Sequence, residues 1–355
     1  MLKKINKHYF PKNYLFAPEW IVLGVNNVCN LHCKMCDVGT KTIETNFAQN
    51  LIGTHPINMP LALIQKTIDQ MAIFYPKAKL GYAFTEPLVY PHLEESLIYA
   101  KSKQVETSIT TNALTLKQKA EKLIDGALGN LFISLDGPQD IHNEIRGHKK
   151  SFQKAVEGIE TILNLNPELP ISIFCVITEW NIGHLKALVD FFKDYPIQRI
   201  GFMHTNYTPQ HIADQHNDIW LNTYTATASN VEEVNVDNFD LQLLLEEITA
   251  IKNENYKFPI SFSPEITSKE KLHEFYHQPE KIIGRVCNDV FSNIMIKSDG
   301  SVIPAHGRCY NLTLGNLYED SLKEIWNSKI LKKFRSDLIN NGGLLPACSR
   351  CCSAF

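Results

Sequence analysis

The sequence has no long hydrophobic run. No stretch of its 355 residues approaches the roughly 20 apolar residues that a membrane-spanning helix needs. The N-terminus, Met1 to Lys7, is basic, but the apolar region of a secretory signal does not follow it. A cytoplasmic protein without a membrane partner is therefore expected, and its thiols should stay reduced rather than form disulfides. A charge bias is missing too. Lys and Arg total 35 against 38 Asp and Glu, for a formal net charge of −3. No basic stripe appears, so no nucleic-acid partner is expected. The 44% hydrophobic and 21% charged content is that of an ordinary globular chain. The length allows two domains, or one barrel with an appendage.

What the sequence does have is cysteine, unevenly placed. Of nine, three lie between Cys29 and Cys36, one is Cys175, and five lie between Cys287 and Cys352. Reduced thiols clustered at both ends suggest two metal sites. The first group, Cys29-x3-Cys33-x2-Cys36, follows the apolar run Ile21 to Val25, which reads as a strand. Three thiolates in one short loop can converge on one centre. They are one short of the four that close a zinc site or fill a cluster, so one metal position stays open for chemistry. A zinc knuckle that borrows a fourth ligand elsewhere is the alternative. In the second group, Cys287 precedes and Cys309 follows a hairpin with an Asp299-Gly300 turn, which brings the two together. With Cys348 and Cys351 they make four thiols, enough for one fully ligated iron–sulfur cluster or a closed zinc site. Cys352 is a spare thiol. Cys175, alone in an apolar strand, reads as a small core residue.

Between the two groups the pattern alternates. Strands are predicted at 21–25, 79–84, 107–110, 131–134, 171–177 and 199–203. Helical faces follow at 61–75, 93–98, 116–127, 152–163, 185–192 and 241–251. Asp37 to Pro60 reads as a long irregular loop, too polar and broken for a core element. Near the C-terminus one capped helix is expected from Asp320-Ser321 through Phe334. Six strand–helix repeats imply a parallel α/β sheet with helices outside, either a doubly wound sheet or an open barrel.

The nonapeptide Val28 to Cys36 resembles the signature of the radical S-adenosylmethionine (SAM) superfamily, with Met35 where an aromatic residue is usual. The resemblance implies a partial (β/α)6 TIM barrel. It also implies that Cys29, Cys33 and Cys36 hold a 4Fe–4S cluster whose open iron takes SAM. Strand ends carry further family-like segments. Thr85-Glu86-Pro87 resembles a Gly-Gly-Glu-Pro motif, implying that Glu86 binds the methionyl amino group. Thr111 and Asn112 resemble a segment near SAM. Ser134 and Asp136 fit ribose-binding positions, and Arg146 matches a recurrent Arg near the SAM carboxylate or ribose. His204 and Asn206 stand where the family places its substrate. The C-terminal hairpin, Leu314-Gly315-Asn316, the Ile325-Trp326 helix and the terminal Cys348-x2-Cys351 resemble the auxiliary-cluster extension called SPASM, or its shorter twitch form. That implies a second 4Fe–4S cluster on Cys287, Cys309, Cys348 and Cys351, with Cys352 able to replace Cys351. Ala305 stands where many relatives have another Cys.

The expected organisation is thus a radical SAM partial barrel over 1–257, with its core at about 20–210. A bridge over 258–284 and a small α+β auxiliary-cluster domain over 285–355 follow. The implied reaction is hydrogen abstraction by a SAM-derived radical. Net oxidation of a sugar or aminocyclitol-like small molecule is the first expectation, with a reductase, flavodoxin or ferredoxin as electron donor. Modification of a peptide is the alternative. Epimerisation would need Cys352 or Cys175 as hydrogen donor. A zinc-binding interaction protein and an iron–sulfur electron carrier are the rivals outside that chemistry.

Overall fold

The computed structural model describes residues 2–230 and 234–355. Its core is one ten-stranded sheet. Seven strands lie side by side in chain order, all parallel: β1 (Trp20–Leu23), β2 (Lys79–Tyr82), β3 (Thr107–Thr111), β4 (Asn130–Ser134), β5 (Ile171–Ile177), β6 (Arg199–His204) and β7 (Ile260–Ser263). Helices 61–74, 93–102, 116–125, 151–165, 185–192 and 241–253 join them. Each buries the apolar face that its spacing predicts; in the first, Ile64, Ile68 and Met71 are fully buried. Asp240 starts the last of these, accepting hydrogen bonds from the backbone N–H groups of Gln242 and Leu243. This is the mixed α/β architecture of an open parallel barrel.

The structure departs from the sequence reading in four places. β7 is a seventh strand, only four residues long, and its Ile-Ser-Phe-Ser alternation was too short to register. The 37–60 loop contains helices at Asp37–Thr40 and Asn46–Ile52, and Phe47, Ala48, Asn50 and Leu51 of the second are buried. The single C-terminal helix is two, Leu322–Trp326 and Lys329–Asn340, because the Ser328 side chain accepts a bond from Leu331 N–H and starts a new helix. Finally, the C-terminal hairpin is part of the barrel sheet. Its strand β8 (Asn293–Ile296) pairs in parallel with β1, from Trp20↔Asn293 to Leu23↔Ile296. β9 (Ser301–Pro304) and β10 (Gly315–Asn316) continue antiparallel beyond it. The sheet therefore runs through the bridge expected at 258–284. Among the described residues, no helix is long and apolar enough to cross a membrane.

Candidate functional site

The strand ends open on a cavity of about 540 Å³. Alternation along each strand decides which side chains reach it. Val22, Ser108, Thr110, Phe132, Ser134, Val176 and Met203 line it. Cys29, Cys33 and Cys36 line it as well. Their loop is pinned from below, with Lys34 N–H donating to Ile145 O at 2.9 Å and His32 N–H to Arg146 O at 3.4 Å. Gly39 makes the return possible. A Cβ there would sit 2.5 Å from Cys33 O and 2.6 Å from Cys33 N.

A buried cation stands behind the thiols. Arg146 Nη1 is 3.6 Å from Cys33 Sγ, and its Nε donates to Asp136 Oδ2. Burial pushes the Cys33 thiol up to about 12, while Arg146 pulls the other way by favouring a thiolate. Asn112 Nδ2 donates to Asn30 Oδ1 at 2.8 Å and lies 4.0 Å from Cys29 Sγ. Thr111, Asn112, Ser134, Arg146 and Asn206, all singled out in the sequence, line the same cavity.

Four singled-out residues do not. Glu86 is 1% exposed, and its carboxylate accepts from Leu88 N–H (3.0 Å), Thr111 Oγ1 (2.7 Å) and Asn112 N–H (2.8 Å). It ties β2 to β3 rather than facing the cavity, where Ala83, Phe84 and Thr85 form the wall. Asp136 is fully buried between Arg146 and Val176 N–H (3.1 Å), so it orients Arg146 instead of reaching a ribose. His204 lies on the opposite face of β6 from Met203. Its Nδ1 is 2.6 Å from Tyr276 Oη, and burial lowers its pKa to about 3. Cys175 shares the outward face of β5 with Ile171, Ile173 and Ile177, all fully buried, so it cannot serve as a hydrogen donor in the cavity. Parity accounts for His204 and Cys175, which alternate with the cavity-lining Met203 and Val176; Glu86 and Asp136 lie beyond their strands, where hydrogen bonds from neighbouring loops and Arg146 take up their carboxylates.

A second cavity lies beside the first, lined by Cys287, Cys309, Cys348 and Cys351. Burial raises the Cys287, Cys309 and Cys348 thiols, the last to about 11, and the adjacent Cys352 side chain together with burial raises that of Cys351. Tyr310 Oη sits 3.2 Å from Cys348 Sγ. Asn50 Nδ2 donates to Gly307 O (3.0 Å) and Cys309 O (2.9 Å), fastening the 46–52 helix to the cysteine loop. Phe47, Asn206, Ala305, His306 and Arg308 line both cavities and form the wall between them. Cys352 faces the barrel cavity, whereas Cys351 lines the second. His306 Nε2 stands between them, 3.9 Å from Cys351 Sγ and 3.8 Å from Cys352 Sγ. These three form the one group of potential ligand atoms within 4.8 Å of one another among the described residues. The sequence reading missed His306, Arg308 and Asp289. Position 306, directly after the absent cysteine at Ala305, was the available signal.

Residues 24–192 match the family described as the Radical SAM superfamily, and residues 287–352 match SPASM, described as an iron-sulfur cluster-binding domain. The chain is 28% identical over 189 residues to Fe-coproporphyrin III synthase of Methanosarcina barkeri, covering 53% of this chain and 44% of that one. It is 26% identical over 194 residues to the serine-type anaerobic sulfatase-maturating enzyme of Bacteroides thetaiotaomicron, covering 51% and 45%. The chain thus spans about half the length of the curated relatives it matches. Its fold is similar to that of Streptococcus suis SuiB bound to precursor peptide SuiA, with a TM-score of 0.64 and 18% identity, over 94% of this chain and 69% of that one.

With cysteines grouped on two adjoining cavities at the strand ends, these matches define a radical SAM protein. More particularly, the chain carries a Radical SAM domain followed by a C-terminal SPASM iron–sulfur cluster-binding domain, and the cofactors of these domains are SAM and two iron–sulfur clusters. The donor sets fit them. Three thiols beside a buried guanidinium suit a cluster with one open iron, and four buried thiols suit one that is fully ligated.

Proposed function

We propose that this enzyme oxidises a compact, hydroxyl-rich small molecule of the sugar class by removing hydrogen from a C–H bond. The observation that carries this reading is the shared wall: one cavity is bounded on one side by Cys29, Cys33 and Cys36 and on the other by Asp289, His306, Arg308 and Cys352. A substrate in it lies between the two cysteine groups. Held by Cys29, Cys33 and Cys36, the first cluster with SAM would supply the chemistry of hydrogen-atom removal, and the second cluster would supply an acceptor for the electron that completes the oxidation.

The chain's own residues bind, orient and exclude water. Cys29, Cys33 and Cys36 hold the first cluster, and Cys287, Cys309, Cys348 and Cys351 the second. Thr111, Asn112 and Ser134 line the place for SAM, and Arg146, held by Asp136, supports the Cys33 thiolate. Asn206 and Asn230 offer hydrogen bonds to substrate hydroxyls. An electron donor of the flavodoxin or ferredoxin type completes the system. A second reading, oxidation of one side chain of a peptide, is favoured by the 26% identity to the sulfatase-maturating enzyme. In a redox-neutral variant of either reading, Cys352 is the thiol placed to return a hydrogen atom.

The test is made on anaerobically reconstituted protein. Iron and sulfide are counted, and 5′-deoxyadenosine is measured after SAM and dithionite are added. About eight irons with cleavage is the expected result. Zinc without iron, and no cleavage, would overturn the enzyme reading. Sugars and peptides are then compared for substrate-dependent product.

A further inference from the structure

Arg308 enters the barrel cavity from the loop between β9 and Cys309. Its guanidinium carbon lies 4.1 Å from the ring centroid of Phe47, and its backbone N–H donates to His306 Nδ1 at 3.1 Å. Among the described residues, its guanidinium N–H groups have no hydrogen-bond partner and no carboxylate pairs with it. The other charged groups on this wall are engaged. Arg146 is held by Asp136 and faces Cys33. Asp289 Oδ2 accepts from Ser353 Oγ at 2.5 Å and lies 3.8 Å from His306 Nε2. Among the described residues, Arg308 is therefore the arginine of this cavity whose guanidinium has no hydrogen-bonded or ion-paired partner, with Cys352 and His306 within its electrostatic reach. A guanidinium stacked on an aromatic face keeps its edge available, and that edge matches a carboxylate or phosphate through paired hydrogen bonds. Half-buried above an apolar ring, it attracts an anion more strongly than a fully hydrated surface arginine does.

We propose that Arg308 is an anion clamp for the substrate: the molecule that reacts in this cavity carries a carboxylate or phosphate group that Arg308 holds, with Asn206 beside it. This rests on the function proposed above and narrows it. Sugar acids or sugar phosphates fit, whereas a free aminocyclitol would bring an ammonium group to a like charge. Because Arg308 and Asn206 line both cavities, the anion sits at the wall between the two cysteine groups. The rest of the substrate then extends toward the barrel mouth.

The test is arginine modification by phenylglyoxal on the wild-type holoenzyme, under anaerobic conditions, without reductant and in a buffer free of phosphate. Modified positions are mapped by mass spectrometry. The probes are malonate, inorganic phosphate, SAM, and chloride at matched ionic strength. Exposed Arg199 serves as the internal control. Arg308 is expected to react, and malonate or phosphate is expected to slow it by about tenfold or more while Arg199 is unaffected. Whichever anion acts at lower concentration names the group. The proposal is overturned if Arg308 is unreactive throughout, which would mean the protein's own auxiliary centre engages it. It is equally overturned if SAM alone protects it, or if chloride protects as well as the other anions do. None of these readouts needs SAM cleavage, so a failure of the proposed function would be seen separately, as absence of 5′-deoxyadenosine.

Discussion

At the scale of single residues, the site depends on close approaches that tolerate no addition. Gly39 packs against the Cys33 backbone with no room for a Cβ. Gly39→Ala should displace the cysteine loop, and the reconstituted variant should lose about four irons and SAM cleavage while keeping the second cluster's iron. Iron analysis with an activity assay checks this. His204 gives a pH prediction. Burial lowers its folded pKa to about 3, while in the unfolded chain it titrates near 6.5. As pH falls, the unfolded state takes up the proton first, so stability is full above about pH 6.5 and lost progressively down to about pH 3. Between about pH 7.5 and 5.5, wild type should lose about 1.4 kcal/mol more than His204→Gln, measured by urea unfolding at both pH values. The spacing of the cysteines was legible because a short loop leaves them little freedom. Cys175 was legible as a core residue from its apolar strand, and it is fully buried. The placement of His204 was not, because a one-residue change of parity turns a strand-end side chain from cavity to shell and sequence pattern does not set where pairing starts; nor was that of Glu86 and Asp136, whose partners come from loops distant in sequence.

At the scale of elements, the strands and long helices were legible because each carries a sustained period of two or 3.6. The helix Asn46–Ile52 was not, since seven residues with three large apolar side chains, Phe47, Leu51 and Ile52, leave little pattern. Its order comes from its surroundings. Thr45 Oγ1 accepts from Ala48 N–H at 3.1 Å, and Asn50 reaches the backbone of Gly307 and Cys309. The first cysteine loop and the last cysteine group are thus braced by the same short helix. Asn50→Ala leaves two buried carbonyls without their donor, at a cost of about 1–3 kcal/mol. The Cys309 loop should loosen, and a chelator should then remove iron severalfold faster from the variant than from wild type, followed as chelate absorbance. Equal release rates would show that the brace is dispensable. A second brace is Arg335, buried at 1% exposure against Trp326 (4.1 Å), with its Nε donating to Val290 O at 2.9 Å. Arg335→Ala should lower stability by about 2–4 kcal/mol through lost packing and an unpaired carbonyl.

At the scale of the whole molecule, the sheet is continuous from β10 to β7. The sequence announced two metal sites and a small C-terminal domain. It carried no sign that β8 would pair with β1, because a long-range pairing leaves no local pattern. With one sheet spanning both regions, heating the protein should give one cooperative transition rather than two, with calorimetric and van't Hoff enthalpies in agreement. Two resolved transitions would contradict a shared core. The β1–β8 pairing also bears on how the chain is made. β1 leaves the ribosome long before its neighbour on one side, which is synthesised only after Ser292. Until then β1 is an open edge with unpaired backbone groups, the kind of surface that recruits strands from other chains. The cysteines that close the second site emerge in the same late interval. The nascent barrel must therefore be shielded while the chain between β1 and β8 is made, and iron can be delivered to a complete pair of sites only once Cys351 has joined the loop of Cys29, Cys33 and Cys36.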